Sequence, residues 1–322
     1  MPDAPAPRSG GASVLAPDVL AGRRRAVARA LTAVENGAPG ADDLVDALYP
    51  HTGRAWRLGV TGPPGAGKST LVDRLVGAFR QRGQTVAVVA VDPSSPFTGG
   101  ALLGDRVRMD RHAADDGVFV RSLAARGALG GLSEAAEAAC DVFDAAGFDV
   151  VVLETVGVGQ GEIDVAQTAD TTLVVLVPES GDGVQAMKAG LMEAADVFCV
   201  NKADKPEASR LVRALRAALH LRPAAAPAVV TASALRDEGV DGLVEALDAH
   251  RDGLDLASLR AERLRRRVRR LVEAGWRRRF WAGGRADALA EAVRQLDPDD
   301  RAPHRLAARL LDADGGAAWP DG

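Results

Sequence analysis

The sequence predicts an α/β fold with a mostly parallel central sheet flanked by helices, and three observations predict it. Short apolar runs rich in Val recur between residues 56 and 230, with stretches of helical spacing between them. The runs close on turns rich in Gly, Pro, Asp or Asn, where ligands of open α/β sheets gather. The first run, Trp56-Arg57-Leu58-Gly59-Val60, feeds Gly62-Pro63-Pro64-Gly65-Ala66-Gly67-Lys68-Ser69-Thr70, which fits G-x-x-x-x-G-K-[ST], the phosphate-binding P-loop.

In such a loop the glycines let successive N–H groups turn inward to a β-phosphate, where a Cβ would intrude. Lys68 reaches the β- and γ-phosphates as a point charge, and the Ser69 hydroxyl completes a Mg²⁺ shell. Leu71, Val72, Leu75 and Val76 have helical spacing, so the loop opens a helix whose N-terminal dipole faces the phosphates. The plainer reading is a Gly-rich turn that happens to fit. Against it, the chain has 35 Gly but lysine only at 68, 188, 202 and 205.

At 322 residues the chain has room for one large domain with appendages, or for two domains. Its 47% hydrophobic and 26% charged content is that of a globular protein. A net charge of −4 argues against a bulk field that attracts nucleic acid or anionic membrane. Residues 1–17 are rich in Pro, Ala, Gly and Ser without the basic and apolar regions of a signal peptide, and are expected to be disordered. No run approaches the roughly 18 apolar residues a membrane helix requires. Cys140 and Cys199 lie within apolar runs and read as buried thiols of a reducing, cytoplasmic compartment. Because the basic residues are mostly Arg, each Lys suggests a site that needs a compact ammonium.

Two short helices, 19–31 and 42–48, precede the first strand and are separated by Gly37-Ala38-Pro39-Gly40. The second strand, 85–91, ends at Asp92-Pro93-Ser94-Ser95-Pro96, and a flexible stretch leads on to Gly104-Asp105-Arg106. If that strand neighbours the P-loop strand, Asp92 lies near the γ-phosphate, where a carboxylate holds a Mg²⁺-bound water or orients the attacking one. The alternatives are an Asx turn at Asp92 and a helix N-cap at Asp105.

The next buried strand, Phe148-Asp149-Val150-Val151-Val152-Leu153, closes on Glu154-Thr155-Val156-Gly157. An acid at a strand end three residues before a Gly suits a switch II segment: the carboxylate serves Mg²⁺ and the Gly157 N–H approaches the γ-phosphate. Gln160 is a water-orienting candidate or a solvent-facing amide. Strand 172–177 leads to Gly181, Asp182 and Gly183, then to a helix with Gln185 and Lys188. Val197-Phe198-Cys199-Val200 runs into Asn201-Lys202-Ala203-Asp204, an N-K-x-D match. Asp204 can accept from both N1–H and the 2-amino group of guanine, donors that adenine lacks. Asn201 can bond the base edge, and the Lys202 stem can lie over the ring. A last strand, Ala228-Val229-Val230, leads to Ser233 and Ala234, placed for backbone contact with guanine O6.

Beyond His250 the sheet pattern stops. A long helix over 256–281 carries Leu264, Val268, Leu271, Val272, Trp276 and Phe280 on one stripe, beside several arginines. It reads as an interface helix, with nucleic-acid binding disfavoured by the acidic balance and the lack of interleaved aromatics. Helical stretches over 286–295 and after Pro303 follow.

The P-loop, Asp92-Pro93-Ser94-Ser95, Gly104-Asp105-Arg106, Glu154 through Gln160, and Asn201-Lys202-Ala203-Asp204, in that order, resemble the methylmalonyl-CoA mutase-associated GTPases of the MeaB/ArgK type. These belong with the dimerising metallocofactor-chaperone branch of P-loop GTPases. The resemblance covers about 54–250, and it implies a homodimer built through C-terminal helices and Mg²⁺-dependent hydrolysis of GTP to GDP. It also implies service to a B12-dependent acyl-CoA mutase, gating adenosylcobalamin delivery and protecting or reactivating the enzyme, with the cofactor's adenosyltransferase as a further partner. By position, Ser69, Asp92, Asp105 and Glu154 would surround Mg²⁺, and 181–188, with Asp182, Gln185 and Lys188, would be a third switch that couples hydrolysis to the client. The bland alternative for 181–188 is an ordinary helix N-terminus. Gly161, where these proteins usually carry Ser, is a small departure.

The expected organisation is a disordered 1–17, an N-terminal helical segment 18–53, a GTPase domain 54–250 and a C-terminal dimerisation region 251–322. Rival readings are a metal-insertion GTPase, which usually needs a Cys/His cluster absent here, a protein kinase of a transport system, and a module that only senses GTP.

Overall fold

Seven strands make one sheet: β1 (Trp56–Thr61), β2 (Val86–Pro93), β3 (Val118–Ala125), β4 (Val150–Thr155), β5 (Thr171–Leu176), β6 (Val197–Val200) and β7 (Ala228–Thr231). Their order is β3-β2-β4-β1-β5-β6-β7, and every neighbouring pair is parallel. The computed structural model describes residues 12–93, 111–112, 114–125, 131–155, 161–178, 189–220, 226–282, 284–295 and 302–312.

Parallel strands need crossovers, and helices supply them: α4 (Lys68–Gln81), α5 (Gly131–Ala145), α6 (Gly161–Thr168), α7 (Ala189–Ala194), α8 (Ala208–Leu219) and α9 (Val240–Asp252). The central strands are buried on both faces, so they read as continuous apolar runs whose alternate residues go to opposite layers. Val86, Val88, Val150 and Val152 join Leu58 and Val60 in a core with α4 and α9. Ala87, Val89, Val91, Val151 and Leu153 face the other way, into a second core with α5.

The N-terminal helices belong to that second core. Val27, Ala30 and Leu31 of α2 (Arg24–Glu35) and Leu44 and Leu48 of α3 (Ala41–Leu48) pack with Phe143 and Cys140 of α5. A single helix over 19–31 is expected from the sequence, but α1 (Ala16–Leu20) and α2 are separate, divided where Gly22 takes φ +67°. β3 was not anticipated. Its apolar stretch is only Val118-Phe119-Val120 before Arg121 and Ser122 interrupt, as suits an edge strand.

β2 does not neighbour the P-loop strand, because β4 lies between them, paired Val60 to Glu154 on one side and Ala90 to Glu154 on the other. The chain leaves β1, crosses outward to β2, and later fills the intervening place with β4. Glu154 therefore lies at the penultimate position of the strand beside the P-loop strand, while Asp92 holds the penultimate position of a strand one place further out.

The chain divides into two compact units, Met1–Arg260 and Ala261–Gly322. The second holds most of α10 (Leu256–Trp281) with α11 (Arg285–Gln295) and α12 (Pro303–Asp312). α10 buries none of its residues. Leu264, Val268, Val272 and Trp276 follow one another at four-residue steps and are all exposed, with Leu271 beside them. None of the described helices is long and apolar enough to cross a membrane.

Candidate functional site: a phosphate loop joined to a base-reading loop

All the strands run the same way, so the loops after β1, β4, β6 and β7 gather along one edge of the sheet, and the candidate residues lie on them. In the first loop Pro64 and Gly65 are exposed and Ala66 is buried, and α4 then begins at Lys68. Gly62 has φ +141°, and a Cβ there would lie 2.1 Å from the Val175 carbonyl oxygen of β5. Gly67 has φ +81° and no room for a Cβ against Asn201 Nδ2, at 2.6 Å. These two positions require glycine for conformation and for close approach together. Thr70 is half-buried in the first turn of α4, whose leading N–H groups have no acceptor within the helix and suit an anion.

Lys68 is buried, and its Nζ donates to the carbonyls of Gly62 and Pro63 at 2.8 and 3.2 Å, which holds the ammonium inside the loop's curve. Ser69 Oγ donates to Glu154 Oε1 at 2.5 Å, with both residues buried. Thr155 Oγ1 bonds Thr61 Oγ1 at 3.2 Å, joining the ends of β4 and β1 just behind them. A hydroxyl and a carboxylate in contact beside a phosphate loop form a hard all-oxygen donor set, the kind Mg²⁺ takes. The backbone of Asp92 pairs with Ala124 one residue before the end of β2. Asp105, Gly157, Gln160, Asp182, Gln185 and Lys188 lie outside the described residues.

The loop after β6 turns sharply because Lys202 adopts a left-handed φ of +55°, unusual for a residue with a side chain. Ser233 Oγ donates to Asp204 Oδ1 at 2.7 Å. That bond, with smaller help from Arg236 and Lys202, holds the Asp204 carboxyl below the usual carboxylate range. Asp204 is therefore ionised at neutral pH and open to solvent, able to accept from a donor pair. A backbone bond ties the two loops, Ala203 N to Ala232 O at 3.0 Å, and another closes the second loop on itself, Ser233 N to Glu238 O at 2.9 Å.

Asn201 joins both halves of the site. Its Nδ2 donates to Ala66 O in the phosphate loop at 2.8 Å, and its Oδ1 accepts from Ala234 N at 3.1 Å. Arg74 of α4 makes a second tie, donating to Ala234 O at 2.9 Å and pairing with Asp237 at 3.3 Å. Sequence reasoning assigned Asn201 to the base edge and passed over Arg74, whose partners lie 160 residues away and leave no local signal.

A P-loop with an acid at the neighbouring strand end and N-K-x-D on the same edge defines a P-loop nucleotide hydrolase that reads guanine. Comparison with known proteins agrees. Residues 27–282 match the model of the methylmalonyl Co-A mutase-associated GTPase MeaB family, and the chain belongs to that family. A Pyrococcus abyssi protein, itself named as a GTPase, is 44% identical over 300 residues, 90% of this chain and 93% of its own length. GTPase ArgK of Escherichia coli is 41% identical over 237 residues, 70% of this chain and 72% of its own. A fused isobutyryl-CoA mutase of Cupriavidus metallidurans is 40% identical over 249 residues, 72% of this chain but 22% of that protein. Among solved structures, the crystal structure of a LAO/AO transport system kinase superposes with a TM-score of 0.74 at 27% identity, covering 97% of this chain and 100% of that one. The protein is a GTPase that binds GTP and GDP.

Proposed function

We propose that the protein hydrolyses GTP with Mg²⁺ as the chaperone of a B12-dependent acyl-CoA mutase, gating adenosylcobalamin delivery and protecting or reactivating the mutase. The observation that carries this reading is the fused relative. A segment 40% identical to this chain is there part of one polypeptide named as an isobutyryl-CoA mutase. The family's own description points the same way.

The residues support the hydrolytic part as follows. Asp204 and the 233–234 loop select guanine, and the phosphate loop and α4 hold the phosphates. Lys68, now on the loop's own carbonyls, would transfer its ammonium to the β- and γ-phosphates as charge builds on the transferring group. Ser69 and Glu154, with Asp92 and Asp105, would hold Mg²⁺, which when bound neutralises charge on those phosphates. Attack by water on the γ-phosphorus releases GDP and phosphate. We assign Gly157 and Gln160 to switch II, and Asp182, Gln185 and Lys188 to coupling with the client.

The exposed stripe on α10 supports a homodimer built through the C-terminal helices. An adenosyltransferase fits as a further partner, since a gate on cofactor delivery must meet the supplier. Inactivation of holo-mutase during turnover tests the role. With this protein and GTP the mutase should hold its activity longer than with Asp204→Asn, and equal decay would overturn it. The kinase name of the solved relative motivates one control. γ-Labelled GTP should give free phosphate, whereas labelled protein would favour the kinase.

A further inference from the structure

Arg74 stands on α4 six residues after Lys68, about 9 Å further along the helix axis. Its side chain crosses to the loop after β7, where Nε donates to Ala234 O at 2.9 Å and Nη1 pairs with Asp237 Oδ2 at 3.3 Å. One guanidinium thus grips that loop at two points, three residues apart. The Arg74 side chain is only 20% exposed, against 57% for Asp237.

The gripped loop is tightly bent. Asp237 has a left-handed φ of +62°, and Gly239 has φ +74° with its Cβ position 2.4 Å from Thr231 O. Ser233 and Glu238 close the bend, Ser233 N to Glu238 O at 2.9 Å and Glu238 N to Ser233 O at 3.2 Å. Within it Ala234 is 2% exposed and held from both sides: Asn201 Oδ1 accepts from its N–H, and Arg74 donates to its carbonyl. Asn201 reaches it from the base-reading loop, whereas Arg74 reaches it from the helix that opens at the phosphates.

The peptide joining Ala234 to Leu235 is trans, so its C=O and N–H point in opposite directions. A donor that fixes Ala234 O therefore also fixes where the Leu235 N–H points. Leu235 is 84% exposed, and among the described residues nothing accepts from its N–H. An open backbone donor in the turn that carries Ser233 and Ala234 suits an oxo group on a ligand. An ion pair as exposed as that with Asp237 is worth little, so the bond to Ala234 O is the contact with consequences.

We propose that Arg74 is a positioning residue for base selection: by fixing the Ala234–Leu235 peptide it aims the backbone donors that read the 6-oxo group of guanine. Asp204 reads N1–H and the 2-amino group, so the two residues govern different substituents of the ring. The inference rests on the assignment of the 233–234 backbone to guanine O6, and it extends that donor set to Leu235.

The test measures affinities for GDP, inosine diphosphate and 6-thio-GDP by competition against a fluorescent GDP analogue. Inosine keeps O6 and lacks the 2-amino group. The thio nucleotide keeps N1–H and the 2-amino group but carries sulfur, a weak acceptor, in place of O6. Wild type should bind GDP at least about tenfold more tightly than 6-thio-GDP. In Arg74→Gln, GDP and inosine diphosphate should each bind about tenfold more weakly, with 6-thio-GDP within about threefold of wild type. The 6-oxo preference is then largely lost, while the ratio of GDP to inosine diphosphate, set by Asp204, stays as it was. Arg74→Lys, which keeps a donor but not the fork, should narrow the 6-oxo preference by about threefold. Asp237→Asn, which removes only the exposed ion pair, should leave both ratios unchanged. A merely structural brace would weaken all three nucleotides together. That result, or an unchanged 6-oxo preference in Arg74→Gln, overturns the proposal. Should Arg74→Gln not fold, Arg74→Lys decides, and a wild-type preference there overturns it. A wild type that binds GDP and 6-thio-GDP alike would remove the O6 assignment itself and the proposal with it, whereas a failure confined to the Arg74 variants leaves that assignment standing.

Discussion

Asn201 illustrates how single side chains hold this site together. Its amide joins the phosphate loop at Ala66 to the base-reading loop at Ala234, so the spacing between phosphate and base contacts is set before any ligand enters. Asn201→Ala should therefore weaken GDP and GTP alike, by about 1–3 kcal/mol each, since it leaves a buried carbonyl and N–H without their partner. Equal losses by calorimetry are the expected outcome. Asp204→Asn should relax the preference for guanine and shift it toward xanthine, whose 2-oxo group accepts where guanine donates. Retained preference for GTP over xanthosine triphosphate would remove Asp204 from base reading. Because the Ser233 hydroxyl keeps the Asp204 carboxyl low, its acceptor charge persists below the ordinary carboxylate pKa and is lost only as pH falls through the lowered value. Guanine selectivity should accordingly stay flat from neutral pH down to about 5, where the carboxylate is still ionised. Burial pushes the Cys199 thiol up to about 12, and Cys140 is also buried, so neither thiol should react with Ellman's reagent at pH 8 in the native protein.

At the scale of elements, the phosphate loop is fixed by what lies behind it. Gly62→Ala would drive a methyl into the Val175 carbonyl, and a strand backbone buried on both faces cannot yield. The variant should lose nucleotide binding and several degrees of melting temperature, whereas Gly65→Ala, with open space around its Cβ, should cost less. The loop, its helix and the central strands were legible in the sequence because each is a local pattern: glycine spacing, a 3.6-residue period, or a run buried on both faces. β3 was not, since three apolar residues followed by Arg121 and Ser122 do not stand out from a loop. The place of β4 beside β1 was not legible either, because strand order is settled by crossovers rather than by any segment's composition. The same limit hid Arg74, a polar residue on an amphipathic helix whose partners come from a distant loop.

For the whole molecule, the exposed stripe of α10 and the family's mutase-associated description both point outward from the chain. Leu264, Val268, Val272 and Trp276 are too apolar and too regularly spaced for a face meant for water. Truncation after His250 should turn a dimer into a monomer by light scattering, and a truncated protein that stays dimeric would place the contact elsewhere. Coupling of GTP hydrolysis at the β1–α4 loop to an acyl-CoA mutase is the proposal on which the functional reading turns. The most direct measurement is the rate of phosphate release from GTP by the purified protein, alone and with saturating methylmalonyl- or isobutyryl-CoA mutase. One of the two mutases should change the rate severalfold, and Lys68→Ala, which loses the ammonium that stabilises charge on the transferring phosphate, should abolish both the basal and the stimulated rate. A rate that neither mutase alters, with wild-type basal activity intact, would contradict it.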